Sequence, residues 1–341
     1  MPRFSIRPKR FRLLIRPALL VALVLGLAAP AVAQDEADLE SYFARNWPQT
    51  NLAKRSVSLS EVIPVLRADG IPSIDDPTFA DAAGHDSLDD IEPVLSVEIN
   101  GDARAYPLQI MTWHEIVNDV VGGVPVAVTY CPLCNTALIF RRDVDGQVLE
   151  FGTSGALRHS DLIMYDRQTF SWWQQFTGEA IVGDQTGTLL DIVPSRLESF
   201  ARFRERHPDG QVLVPASGIL RSYGRNPYPE YDSGSTPFRQ FFGGPLPENI
   251  APLAYVVKVE DQAWSLDLLR QSGRIEAGDL VITWTPGMAS ALDASRISSG
   301  RDLGNVVVQR QTAEGPRDVA YELTFAFAFH AFNPDSPIVT E

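Results

Sequence analysis

Residues 128–138 read VTYCPLCNTAL, and a similar stretch, ITWTPGMASAL, occupies residues 282–292 in the second half of the chain. The two stretches keep the same apolar, proline and small positions. Only the first contains cysteines, because Thr285 and Met288 stand where the first stretch has Cys131 and Cys134. The predicted scaffold therefore forms without the thiols, which indicates that the thiols serve chemistry rather than folding.

The pattern around these stretches predicts a mainly β chain with short helices, an α+β fold class, because short strands and turns recur at regular spacing. We interpret the chain as two tandem, diverged copies of a β-rich module that pack together, of which only the first carries the Cys-x-x-Cys site. Further matches pair 254–264 with the strands through Tyr106, 265–270 with a helix, 304–309 with 146–151, and 324–332 with 169–177. The predicted domains are a signal peptide at 1–33, an acidic N-terminal leader and linker at 34–90, a first repeat with the CPLC motif and a long aromatic loop at 91–250, and a degenerate second repeat at 251–341.

Two segments outside the core of these repeats also receive a structural prediction. Apolar residues at near-helical spacing predict a helix over 59–68. The alternating sequence TFAFAFHAF at 324–332 is read as an apolar strand.

The N-terminus predicts export. It is basic and free of acids, and it continues into the apolar run Ala18–Ala29 and the small-residue site Ala31–Ala33, which is typical of a secretory signal. We expect a periplasmic or secreted protein with no membrane span beyond this segment, an uncleaved N-terminal anchor being the alternative. The whole chain has a net charge of -14, so nucleic acid and anionic membrane surfaces are not expected partners.

The Cys131–Cys134 pair follows a predicted buried strand and has three physical uses: a redox dithiol, part of a metal site, or a plain disulfide. A disulfide that closes so short a loop stabilises a fold by only roughly 2 kcal/mol, and a chain of 341 residues can bury a core without one. Covalent haem attachment needs a histidine where this chain has Asn135. A reactive or ligating pair is therefore favoured.

His114 precedes the cysteine-bearing strand and has no histidine counterpart near 270–272, so it is lost together with the thiols. An adjacent imidazolium would lower the pKa of a thiol. We predict a catalytic set of Cys131, Cys134 and His114, with Cys131 as the attacking thiol and Cys134 as the resolving thiol. Neutral imidazole with two thiolates would instead suit Cu(I) or zinc.

Polar and aromatic residues nearby are predicted to contact a substrate or to support the site. Residues 152–156 approach the Gly-x-Ser-x-Gly nucleophile pattern, but that motif requires a parallel α/β sheet, which this sequence does not predict. A tight glycine turn is the better interpretation of Gly152 and Gly155. The predicted supporting residues are Glu115, Asn118, Ser154, His159, Asp161 and Trp172.

The chain resembles a bacterial family known only as domain of unknown function 3179. The resemblance runs from about Ile91 to the C-terminus, is most specific around the cysteines, and implies no activity. The blocks that carry it are Ala105-Tyr-Pro-Leu, Trp113-His-Glu-Ile-Val-Asn-Asp, Val128-Thr-Tyr-Cys-Pro-Leu-Cys-Asn, Phe151-Gly-Thr-Ser-Gly, Ser160-Asp-Leu-Ile-Met-Tyr-Asp-Arg, Ser171-Trp-Trp-Gln and His207-Pro-Asp-Gly-Gln-Val-Leu.

Three functional hypotheses follow, and they leave open whether the protein is an enzyme. The first is an exported thiol redox protein that needs no cofactor and exchanges with a redox partner. The second is a protein that binds or delivers copper or zinc through Cys131, Cys134 and His114, with a fourth ligand from His159 or Asp161 and a metal-exchange partner. The third is a noncatalytic ligand-binding or scaffold module.

Overall fold

The computed structural model describes residues 36–215 and 221–341, so the predicted signal peptide at 1–33 lies outside the described residues. Short helices punctuate the described part of the chain, and none of them has the length and apolar character that a bilayer crossing requires. The helices are α1 Glu36–Asn46, α2 Leu108–His114, α3 Phe200–Arg206, α4 Leu266–Ser272 and α5 Ala326–Phe332.

Strands make up far more of the structure than helices do, which confirms the predicted mainly β character. In chain order they are β1 Ile63–Pro64, β2 Thr78–Asp81, β3 Pro93–Ile99, β4 Asp102–Pro107, β5 Ile116–Val121, β6 Val124–Cys131, β7 Thr136–Arg141, β8 Asp143–Val144, β9 Gln147–Val148, β10 Phe151–Arg158, β11 Asp161–Asp166, β12 Trp172–Gln174, β13 Ala180–Val182, β14 Ile192–Val193, β15 Arg196–Ser199, β16 Gln211–Val214, β17 Tyr255–Val259, β18 Gln262–Ser265, β19 Arg274–Ala277, β20 Leu280–Thr285, β21 Asn305–Thr312, β22 Gly315–Asp318, β23 Glu322–Phe325 and β24 Ile338–Val339.

The strands form five sheets arranged like the blades of a five-bladed propeller, together with the small β8–β9 hairpin. The sheets have the following strand orders: sheet I is β15-β3-β4-β16-β2, sheet II is β14-β7-β6-β5, sheet III is β1-β10-β11-β12-β13, sheet IV is β23-β17-β18-β24, and sheet V is β19-β20-β21-β22.

Sheets I and IV share one topology. In each, a hairpin (β3–β4 or β17–β18) is flanked on one side by an antiparallel strand and on the other by a parallel strand, and a helix joins these two flanking strands; sheet I has β2 as an additional edge strand. Sheets II and V also resemble each other. Sheet II begins after α2 with the antiparallel strands β5, β6 and β7, and sheet V begins after α4 with β19, β20 and β21. In each sheet a fourth strand, β14 or β22, pairs at the edge. Sheet III has no counterpart, and most of it lies between β7 and β14.

This topology differs from two of the sequence matches. By order and pairing, β21 corresponds to β7, and β23 with α5 corresponds to β15 with α3. This order differs from the sequence matches of 304–309 with 146–151 and of 324–332 with 169–177, which join segments from different places in the sheets. Their apolar patterns are common to many buried strands, so sequence similarity alone could not assign the pairing.

The acidic N-terminal segment is built into the sheets, contrary to a reading of 34–90 as leader and linker alone. Strand β1 pairs with β10, β2 pairs with β16, and Phe43 of α1 packs against Trp172 with ring centroids 4.9 Å apart. The helix predicted over 59–68 is wrong, because only a short 3-10 turn forms at Leu59–Glu61 before β1. Pro64 lacks the amide hydrogen that a continuing helix needs.

The apolar segment 324–332 is not one strand. It begins in β23 and turns at Phe325 into α5. Phe327, Ala328 and Phe329 are all fully buried, so apolar side chains surround this helix on several sides. An alternating pattern cannot distinguish a strand from a helix that is buried all round.

Candidate functional site

The turn between β6 and β7 presents both thiols at one end of sheet II. Strand β6 is buried through most of its length and ends at Cys131, which pairs with Thr136 across the turn. Asn135 closes this turn in the left-handed conformation with a φ of 53°, which asparagine tolerates better than most residues. The four residues Cys131–Cys134 thus lie in a tight turn, and the sulfur atoms of both cysteines are buried in the protein.

Sheet III supplies the polar partners of the thiols. The Cys134 Sγ donates to Asp161 Oδ1 over 3.0 Å, and the Cys131 Sγ lies 3.5 Å from the carbonyl oxygen of Ser160. Both cysteines are free, and ligand atoms of Cys131, Cys134 and Asp161 all lie within 4.8 Å of one another. Asp161 is therefore a member of the thiol site.

Asp161 is held in a fixed orientation. Its Oδ2 accepts hydrogen bonds from Gln174 Nε2 over 2.6 Å and from the backbone amide of Phe176 over 2.8 Å, which leaves Oδ1 facing Cys134. Burial raises the pKa of Asp161 to about 6, although these hydrogen bonds favour its charged form. The carboxylate is thus ionised at neutral pH and can take up a proton just below it.

Glu115 occupies a strained position beside the same site. It caps the C-terminus of α2 with a φ of 60°, and Gly273 caps α4 at the corresponding place with a φ of 69°. A side chain in this region costs roughly 1–2 kcal/mol, which glycine avoids. Burial, with a further contribution from Asp161, raises the pKa of Glu115 to about 8. Strain that persists at a buried ionisable residue points to a functional constraint.

The electrostatic environment keeps both thiols protonated. Burial raises the pKa of Cys131, and the carboxylates of Asp161 and Glu115 raise it further, while the neighbouring Cys134 thiol opposes the shift. Burial raises the pKa of Cys134 well above its usual range, and Cys131 and Asp161 act in the same direction. Cys131 is therefore the thiol that ionises more readily.

Residues from the second half of the chain donate hydrogen bonds to the backbone of the thiol turn. Thr324 Oγ1 donates to the carbonyl oxygen of Cys134 over 2.7 Å, and the amide of Phe325 donates to the same oxygen over 3.1 Å. From the aromatic loop, the Tyr231 hydroxyl donates to the Leu133 carbonyl oxygen over 2.9 Å. Because of this cover, Cys131 is 1% exposed and Cys134 is 0% exposed.

His114 has partners other than the thiols. Its Nδ1 lies 2.8 Å from the carbonyl oxygen of Pro72, and its Nε2 lies 2.8 Å from the Tyr223 hydroxyl. Neither ring nitrogen is directed to a sulfur, and the potential ligand cluster around the thiols does not include this residue. Burial lowers the pKa of His114, so the imidazole is neutral rather than the imidazolium that the sequence hypothesis requires.

Asn118 and Ser154 lie in structural hydrogen bonds. Asn118 exchanges two hydrogen bonds with the backbone of Phe151 and thereby joins sheets II and III. Ser154 Oγ donates to the carbonyl oxygen of Ile163 over 2.5 Å at an irregularity in the β10–β11 pairing. Gly155, with a φ of 75°, lies in this bulge and not in the tight turn that its sequence suggested.

His159 and Trp172 also face away from the sulfurs. His159 lies in the turn between β10 and β11, where its ring packs edge-on against Phe332 and its Nε2 is 3.6 Å from a Glu61 oxygen. Burial lowers the pKa of His159 to about 4. Trp172 is fully buried and packs edge-on against Phe43 and Trp47.

The sequence analysis predicted no role in the site for four residues that complete it: Gln174, Ser160, Thr324 and Tyr231. The Ser160 Oγ and the Gln174 Oε1 are buried without a hydrogen-bond partner in the described part of the chain. Unsatisfied buried polar atoms are uncommon and often mark sites that bind a further group or undergo chemistry. The signals available for Gln174 were its place in the block Ser171-Trp-Trp-Gln and the adjacent glutamine at position 175.

The family described as "Protein of unknown function (DUF3179)" matches residues 68–336. The match covers the thiol turn, Glu115, Asp161 and the strand that bears Thr324. No curated protein and no solved structure matches the chain.

Proposed function

The chain belongs to the DUF3179 family, and from that premise we propose that it is an exported dithiol protein that exchanges electrons with disulfides. Cys131 is the attacking thiol, Cys134 is the resolving thiol, and Asp161 is the proton acceptor for Cys134. No cofactor is needed for this chemistry. We also propose that residues 251–341 are a degenerate second copy of the module, which the recurring topology of sheets I and IV supports.

The observation that carries the redox proposal is the 3.0 Å contact between Cys134 Sγ and Asp161 Oδ1. A resolving thiol must lose its proton before its sulfur can attack, and a fixed buried carboxylate provides the acceptor where solvent cannot. The pKa of the Cys131 thiol is raised less than that of the Cys134 thiol, which supports the assignment of Cys131 as the first nucleophile.

The proposed reaction consumes one disulfide, RSSR. Cys131 loses its proton to water admitted with RSSR, and the resulting thiolate attacks one sulfur of RSSR, forms a mixed disulfide and releases RS⁻, which takes up a proton as RSH. Cys134 then passes its proton to Asp161, and its sulfur attacks the Cys131 sulfur, which forms the Cys131–Cys134 bond and expels the second RS⁻. Two electrons pass to RSSR, and the two thiol protons, one carried through Asp161, yield two RSH molecules. The cover over the turn, including Tyr231, must move to admit the disulfide.

The test is a redox titration of the purified protein against glutathione, with the thiols counted by alkylation and mass spectrometry. We expect two alkylated cysteines under reducing conditions, none under oxidising conditions, and a reversible transition between them. The Cys134→Ser variant should trap a mixed disulfide with glutathione at Cys131. A protein whose two thiols stay reduced at every glutathione ratio would refute the redox proposal.

A second candidate function, copper or zinc binding and delivery, is favoured by the convergence of Cys131, Cys134 and Asp161. Two thiolates and a carboxylate oxygen are accepted zinc ligands, and the hydrogen bonds from Gln174 and Phe176 would orient the carboxylate as outer partners commonly do. The positive charge of a bound cation would also stabilise the buried carboxylates of Asp161 and Glu115. In this version Asp161, rather than His114, completes the ligand set.

Metal analysis separates the two functions. Protein purified without chelator would contain one copper or zinc ion per chain if the metal function holds, and Asp161→Asn and Cys131→Ser would each remove it, with His114→Gln as the matched control. Metal-free protein that cycles between dithiol and disulfide supports the redox function instead. Protein with neither property would leave the noncatalytic ligand-binding or scaffold hypothesis.

A further inference from the structure

A polar cavity is lined in part by Tyr223, whose hydroxyl contacts His114 at the C-terminal end of α2. It has a volume of about 380 Å³, within the size range of cavities that bind small molecules. Its lining includes Glu92, Gln109, Tyr223, Arg225 and Arg296. The consecutive residues His114 and Glu115 thus contact different sites, since His114 bonds to Tyr223 of the cavity whereas Glu115 acts on the thiols.

The Tyr223 hydroxyl is oriented by His114. A carbonyl oxygen can only accept, so the contact with Pro72 places the imidazole proton on Nδ1. The neutral ring then accepts at Nε2, and the Tyr223 hydroxyl donates to it. The Tyr223 oxygen is therefore left as an acceptor, and a ligand must offer it a donor such as a hydroxyl group.

Glu92 provides an unsatisfied polar atom in the same cavity. The residue is only 6% exposed, and its Oε2 has no hydrogen-bond partner in the described part of the chain, whereas its Oε1 accepts from the Asp89 amide over 3.3 Å. Burial raises the pKa of Glu92 to about 7. A buried carboxyl oxygen without a partner is costly, and a ligand hydroxyl would satisfy it.

Two arginines add positive charge to this cavity. Arg225 and Arg296 are joined by an antiparallel β-bridge, and both residues are exposed. Guanidinium groups bind carboxylates and phosphates with short, charge-assisted hydrogen bonds. The carboxylates of Asp86 and Asp89 also line the cavity and offer further acceptors for hydroxyl groups.

We propose that this cavity binds a small polyhydroxylated molecule that carries a carboxylate or phosphate group. The oxyanion lies against Arg225 and Arg296, and the hydroxyl groups donate to Tyr223 and Glu92. This ligand site is independent of the thiol chemistry proposed above, because it uses neither sulfur.

Isothermal titration calorimetry of the purified protein tests the site with gluconate as the carboxylate probe and glycerol 3-phosphate as the phosphate probe. Glucose lacks the oxyanion and acetate lacks the hydroxyl groups, so these two compounds are the matched controls. We expect gluconate or glycerol 3-phosphate to bind about tenfold or more tightly than both controls. The preferred probe identifies the oxyanion.

Substitutions then locate the binding. Arg296→Gln and Tyr223→Phe should each weaken the preferred probe by about tenfold, whereas Arg317→Gln on the exposed face of β22 and Cys131→Ser should leave its affinity unchanged. Tyr223→Phe removes a single oxygen but also the hydrogen bond to His114, so the melting temperature of each variant is measured to confirm that it is folded. The proposal is overturned if neither probe binds more tightly than glucose and acetate, or if both cavity variants bind like the unmodified protein.

Discussion

The Cys134 thiol donates a hydrogen bond to the Asp161 carboxylate over 3.0 Å, and this contact joins the turn of sheet II to the first residue of β11 in sheet III. It links a residue that can carry redox or ligand chemistry to a base that is itself fixed by two further hydrogen bonds. The chemistry of the site therefore depends on how two sheets pack, and each of its parts can be tested by substitution.

Asp161→Asn should separate the two effects of the carboxylate. The charge of Asp161 raises the pKa of both thiols, so its removal should shift the pH profile of iodoacetamide alkylation to lower pH. Disulfide formation with oxidised glutathione should nevertheless slow by about tenfold or more, because the proton acceptor is gone. Asp166→Asn, at the other end of β11, is the control. Faster oxidation in Asp161→Asn would contradict the role of the carboxylate as a base.

Glu115 should make stability depend on pH. Its pKa is about 8 in the folded protein and 4.5 in the unfolded chain, so folding favours the protonated form. Its contribution is fully present below pH 4.5 and is lost as the pH rises to about 8. Glu115→Gln should flatten this part of the curve of unfolding free energy against pH, as measured by urea denaturation. An unchanged slope in the variant would show that Glu115 does not carry the effect.

Glu115→Gly tests the backbone strain separately from the charge. Glycine relieves the positive φ that glutamine retains, so the glycine variant should be more stable than Glu115→Gln by about 1 kcal/mol. Gly273→Ala, at the C-terminal cap of α4, is the reverse experiment and should destabilise by a similar amount. If the glycine and glutamine variants had equal free energies of unfolding, the positive φ at position 115 would not destabilise the protein.

Thr324→Val should loosen the thiol turn. The variant loses the hydrogen bond to the Cys134 carbonyl oxygen and leaves a buried oxygen with one partner fewer, which should cost about 1–2 kcal/mol of unfolding free energy. Alkylation of Cys134 should become faster, as followed by mass spectrometry of the folded protein. Thr312→Val removes a similar hydroxyl–carbonyl bond in the β21–β22 hairpin and should leave the thiols unaffected. Equal alkylation rates in the two variants would mean that Thr324 does not hold the turn.

His114→Gln distinguishes the hypothesis drawn from sequence from the contacts in the structure. If an imidazolium lowered the pKa of Cys131, its loss would shift the alkylation profile to higher pH. The structure directs His114 to Pro72 and Tyr223, so we expect an unchanged profile and weaker ligand binding in the polar cavity that Tyr223 lines. A shift of the alkylation profile to higher pH would show that His114 lowers the pKa of Cys131 and acts at the thiol site.

The amino-acid sequence by itself determined the buried strand that precedes the cysteine pair, the mainly β character, and the absence of thiols from the second half. These features depend on neighbouring residues, on side-chain periodicity and on turn-forming residue types, all of which are local. It also named Asp161 and Glu115 as supporting residues, although it could not rank them above His114.

Only the tertiary structure decided which side chains meet. Asp161, Gln174 and Thr324 come from three other strands, and their approach to the thiols follows from the packing of sheets II, III and IV. His114 precedes Glu115 directly, yet the left-handed backbone at Glu115 separates the two residues and sends their side chains to different sites. Contacts between distant segments depend on the packing of whole sheets, so no local spacing in the chain encodes them.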